Sequence, residues 1–273
     1  ATPLPYRVVA PCFSRLARLA SALPRGADDG VAPEQWRRFV GALNGVVGDK
    51  LAAWNNALAI PMRVRDADGA ALDAADWRAA SSTGTVLFVH GLCCSELEWH
   101  TPAHRRLVSG LAAAGYGVGW LRYNSGRAIA DSGSELADLL EAQLGGDHAA
   151  PGLILIGHSM GGLVARSACH VAQQEGQAWL RALDSLVFLG TPHHGAPLER
   201  AGHGIDVLLA ASPFTAPFTR LGQLRSAGIT DLRHGHVRES DWHGRDRFGS
   251  AVDHRDPLPL PEGVACFTAA GTL

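Results

Sequence analysis

Residues 153–161 of this chain read Leu-Ile-Leu-Ile-Gly-His-Ser-Met-Gly. Four apolar, strand-forming residues run straight into a tight turn, and apolar spacing of helical period follows at once over 161–174. The small residues Gly157 and Gly161 let the backbone reverse without collision. In that strand-turn-helix setting a G-x-S-x-G pattern lifts the serine hydroxyl above the end of a sheet, at the N-terminus of a helix. With 32 glycines in the chain the five-residue pattern arises easily by chance; the strand before it and the helix behind it give it weight. Ser159 is therefore the candidate nucleophile. His158 adjoins it, but neighbouring side chains on a sharp turn diverge, so His158 is expected to pack beside the turn.

The same rhythm surrounds this junction. Short apolar runs at 86–89, 118–121, 153–156 and 186–189 read as buried strands, and helical spacing falls at 103–114, 135–144 and 161–174. Alternating strands and helices predict parallel crossovers and a sheet covered on both faces. Helical spacing also falls at 33–54, a strand pattern at 62–65 and a last strand at 264–268. Residues 1–60 read as an N-terminal helical extension and 61–273 as an α/β domain. Within it, 196–261 is too long for a simple loop and reads as a cap or insertion. Its apolar residues between 205 and 224 fit either an acyl-binding lid or a buried cap helix.

The strand at 86–89 ends in His90-Gly91-Leu92. Acyl transfer places negative charge on the former carbonyl oxygen, and preorganised N–H groups stabilise it; one such donor is worth about 3–4 kcal/mol of barrier. The residue after the nucleophile, Met160, supplies one amide, and the loop after the earlier strand supplies the other, here Leu92. His90, Tyr123, His193 and His194 also fall at strand ends on that edge of the sheet, where open α/β sheets bind ligands. They are candidate pocket residues. A metal site at the His193-His194 pair, with His203 and Asp206, is disfavoured because adjacent histidines seldom share one ion.

The segments around 85–92, 153–166 and 186–202 resemble the lipase and esterase branch of the α/β-hydrolase fold. They are most similar to bacterial hydrolases of the GPI-inositol-deacylase (PGAP1)-like group. The resemblance implies an α/β-hydrolase fold, mostly parallel with helices on both faces and a cap insertion. It implies a carboxylic-ester hydrolase working through an acyl-serine, with a Ser, Asp and His triad, no cofactor and no metal. Its substrate would be a small-molecule or lipid ester. An acyltransferase or thioesterase on the same fold, or a non-catalytic binding module, is the alternative.

Composition narrows the field further. A net charge of −2, with scattered arginines, argues against a nucleic-acid partner. No apolar run reaches the roughly 20 residues of a membrane-spanning helix. Five cysteines at irregular spacing do not form a disulfide framework and suit a reducing, cytoplasmic setting. In this fold the triad order is Ser, then acid, then His. The resemblance places the acid after the strand at 264–268 and the histidine after one strand more, so these elements would need on the order of 50 residues beyond it. The triad acid and histidine are thus expected beyond residue 273, with Asp206, Asp253 or His254 as the fallback, and the chain is expected to be an N-terminal piece of a longer enzyme.

Overall fold

The computed structural model describes residues 33–145, 152–195, 226–242 and 258–271. Six strands form one sheet: β1 (Arg63–Arg65), β2 (Gly84–Val89), β3 (Tyr116–Arg122), β4 (Leu153–His158), β5 (Leu183–Leu189) and β6 (Ala265–Ala269). Their order is β1-β3-β2-β4-β5-β6. Only β1 runs antiparallel, against β3; the other pairings are parallel. The helices are α1 (Glu34–Ala53), α2 (Ala74–Ala79), α3 (Pro102–Ala113), α4 (Ile129–Leu144), α5 (Met160–Glu175) and α6 (Ala227–His234), with short 3-10 turns at Glu96–Trp99, Ala178–Ala182 and Glu239–Trp242.

The sheet has two apolar faces because strand side chains alternate. Leu87, Val89, Leu121, Leu155, Leu186 and Phe188 join one core with α1, α4 and α5. Val86, Phe88 and Trp120 face the other way, against Trp99 and residues of α3. Strands covered on both faces read as continuous apolar runs, which is why β2, buried throughout, and β4, buried or half-buried up to Gly157, stand out in the sequence. β6 lies at the sheet's edge and is exposed along its length, with Phe267 57% exposed.

The expected elements are present with shifted ends. The largest shift is α4, which begins at Ile129 instead of 135. The helix expected near 33–54 is α1, and it shares the main core through Leu43, Val46, Val47 and Leu51. Within the span read as a cap, 226–242 is described. There α6 packs on α1 and α4, and Ser226 Oγ donates to the Gly45 carbonyl at 2.6 Å. The apolar residues at 205–224, with His203, Asp206, Asp253 and His254, lie outside the described residues.

Strand order positions the site. From β2 the chain passes to β3 on one side, then crosses back to β4 on the other. The C-terminal ends of β2 and β4 therefore flank the point where the winding reverses, where open α/β sheets form their ligand crevice. Those two ends carry His90-Gly91-Leu92 and Ser159.

Candidate active site

Ser159 sits between β4 and α5 with φ 52° and ψ −121°. A non-glycine residue in this region is strained by about 1–3 kcal/mol and persists only where its surroundings enforce it. The enforcing contacts are glycines. A Cβ on Gly161 would run into the Val89 carbonyl and lie 2.6 Å from that of His90, and one on Gly157 would lie 2.5 Å from Gly162 Cα. The Ser159 amide donates to the Leu189 carbonyl at 2.8 Å, anchoring the turn to β5. The serine is half-buried and its hydroxyl makes no hydrogen bond among the described residues.

The oxyanion candidates face this serine. A Cβ on Gly91 would lie 3.2 Å from Ser159 Cβ, so the His90–Leu92 turn runs directly against Ser159. Met160 begins α5, and a first-turn amide has no intrahelical acceptor. The Leu92 amide likewise donates to no protein acceptor among the described residues. The positive end of the α5 dipole adds to the same field.

His90 and Tyr123, expected around the pocket, lie beneath this turn, each 1% exposed. Their rings stack with centroids 4.3 Å apart. His90 Nδ1 lies 2.9 Å from the Gly91 carbonyl. A carbonyl only accepts, so Nδ1 carries the proton. Burial lowers the His90 pKa and keeps the ring neutral. The Gly91 carbonyl and the Leu92 N–H belong to one planar trans peptide and point in opposite directions. Holding that carbonyl therefore aims the Leu92 amide.

His193 is half-buried and His194 exposed, both at the end of β5. Arg166 of α5 donates from Nη1 to His193 Nδ1 at 3.1 Å and from Nη2 to the Leu258 carbonyl at 2.7 Å. Burial and the Arg166 charge push the His193 pKa down to about 4. With Nδ1 accepting, the neutral ring carries its proton on Nε2 and can donate there but cannot act as a base. His158 is exposed, its ring edge-on to Trp99 at 6.1 Å, beside the turn as expected.

Cys93 and Cys94 adjoin the His90–Leu92 turn. Burial pushes the Cys93 thiol well up and the Cys94 thiol up to about 12. Such thiols stay protonated and are poor nucleophiles.

A mostly parallel sheet with a sharp Ser159 turn at the reversal of its winding defines an α/β-hydrolase fold. Within it, residues 134–260, somewhat under half of the chain, match the family model described as the PGAP1-like alpha/beta domain. No curated protein matches the chain. Among solved structures it is similar to a mature lipase from Bacillus licheniformis, at 21% identity and TM-score 0.40, over 56% of each chain. It is also similar to a lipase-esterase related protein from Clostridium acetobutylicum, at 16% identity and TM-score 0.36, over 58% of this chain and 69% of that one. An esterase from Pyrococcus furiosus aligns at 20% identity and TM-score 0.34, over 56% and 57%. The chain thus spans little more than half the length of the Bacillus lipase. No helix among the described residues is long and apolar enough to cross a membrane.

Proposed function

We propose that the chain hydrolyses carboxylic esters through an acyl-Ser159 intermediate. The observation that carries this reading is the backbone of Ser159, held at φ 52° by packed glycines at the mouth of the sheet crevice. Strain of this kind persists where function uses it. The hydroxyl attacks the ester carbonyl, and the Leu92 and Met160 amides receive the charge on its oxygen. A histidine takes the serine proton and returns it to the departing alcohol; water then releases the acid by the reverse path. Neither His193, whose ring nitrogen is taken by Arg166, nor buried His90 suits that role. The substrate class assigned to this site is an ester of a lipid or small molecule. The unpaired state of Cys93, Cys94, Cys169 and Cys266 supports a reducing, cytoplasmic setting.

The test is Ser159→Ala in the protein against a short p-nitrophenyl ester. The expected result is loss of turnover by a factor of about 10⁴ or more with the melting temperature preserved. Turnover at the wild-type rate would remove Ser159 from the mechanism.

A further inference from the structure

The Leu92 amide is flanked by two hydrogen bonds that both originate at the end of β3. Tyr123 donates its hydroxyl to the His90 carbonyl at 2.8 Å. On the far side, the Cys93 amide donates to Ser125 Oγ at 3.1 Å. Tyr123 and Ser125 are two residues apart and fully buried. The turn between them needs holding, because Cys93 has φ 58°, in the left-handed region that a residue with a side chain avoids. From behind, the α1 backbone presses on it: a Cβ on Gly45 would lie 2.6 Å from both the Cys93 nitrogen and Cα.

From this arrangement we infer that Tyr123 and Ser125 are positioning residues for the oxyanion hole. Their two hydroxyls fix the His90–Gly91 and Leu92–Cys93 peptides, on either side of the peptide that carries the Leu92 N–H, so that this N–H faces the carbonyl under attack by Ser159. The inference rests on the ester-hydrolase reading and names what keeps its oxyanion donor in place. Neither hydroxyl touches substrate. Each acts through the turn, and the effect is felt in the transition state, where the oxyanion hydrogen bond is strongest.

The test uses Tyr123→Phe, Ser125→Ala and the double variant, each deleting one hydroxyl and little volume, with Ser125→Thr as the conservative control. Outright loss of an oxyanion donor costs about 10²–10³ in kcat. A donor left in place but poorly aimed is expected to lose about tenfold or more in kcat, with KM within about threefold of wild type. Affinity for a trifluoromethyl ketone, which mimics the tetrahedral adduct, should fall by the same factor as kcat/KM across the series. A structural role alone would not produce that correspondence. Ser125→Thr should restore most of kcat, and amide exchange at 90–94 should quicken in the Ser125→Ala and double variants. Wild-type kcat in the double variant, or ketone affinity unchanged while kcat falls, overturns the inference. Wild-type turnover that survives Ser159→Ala removes the hydrolase reading and this inference with it. A Ser159-dependent enzyme indifferent to both hydroxyls removes the inference alone.

Discussion

The amide of Ser159 and the carbonyl of Leu189 are joined by a 2.8 Å hydrogen bond that carries the β4–β5 ladder one residue past the strand. Ser159 is thus tied to the sheet, although its own backbone is strained. Position comes from β4 and β5, and strain is contained by glycines that let Val89, His90 and the start of α5 close around it.

Gly161 is the sharpest test of that containment. Gly161→Ala would drive a methyl group into the Val89 carbonyl, which is strand backbone and cannot move aside. A loss of about 1–3 kcal/mol is expected, together with loss of ester turnover as Ser159 shifts. Chemical denaturation and kinetics on one preparation read both. A variant of wild-type stability and turnover would show that the turn is not tightly enclosed.

Asp231 links a distant segment to the start of α4. Its Oδ2 accepts from the Ile129 amide at 2.8 Å and its Oδ1 from the Trp242 indole. Asp231→Ala strands a buried helix-terminal N–H, at a cost of about 1–3 kcal/mol. The urea midpoint is expected to fall accordingly. A midpoint within error of wild type would mean that these Asp231 contacts contribute nothing to stability.

That contact explains why the beginning of α4 was hard to read from sequence. Residues 129–134 include Asp131, Ser132, Gly133 and Ser134, which look more like a turn than a helix. What makes them helical is Asp231, about a hundred residues downstream, and the packing of Gly133 onto Ser167 of α5. The turn at Ser159 was legible because strand, turn and helix are consecutive and each has its own local pattern. His90 and Tyr123 read as pocket residues because they follow strands. The loops that follow them pack against α1, whose glycines at 41, 45 and 48 look unfavourable for a helix. Those glycines allow close approach to Cys93, Cys94 and Asn124, a long-range fact that no local pattern announces.

Acid should destabilise the fold through its histidines. His104 Nε2 accepts from the Trp120 indole at 3.1 Å, and His193 Nδ1 accepts from Arg166, so both rings are neutral in the fold. Burial lowers both pKa values, to about 4 for His193. The unfolded chain binds protons on these histidines below about pH 6.5, where the folded protein does not. Stability is therefore full above pH 6.5 and falls as pH drops toward 4. Melting temperatures across that range should show the decline, and His193→Gln, which keeps an acceptor for Arg166, should lessen it. A flat profile, or one unchanged by that substitution, contradicts the assignment.

Alkylation distinguishes serine from cysteine chemistry. Burial raises the thiol pKa of Cys93, Cys94 and Cys169, the last two to about 12, and that of Cys266 as well. Iodoacetamide at neutral pH is expected to leave most esterase activity in place. Stoichiometric loss on labelling Cys93 or Cys94 in a protein that remains folded would transfer the nucleophile to a cysteine.

The most direct test of the central claim is covalent capture. The protein is treated with a fluorophosphonate, which phosphonylates an activated serine, and the adduct is located by peptide mass spectrometry alongside residual turnover. The expected result is one phosphonyl group on Ser159, with esterase activity lost in proportion to labelling. An adduct on another residue that tracks the loss, or full activity lost with Ser159 unmodified, would contradict it.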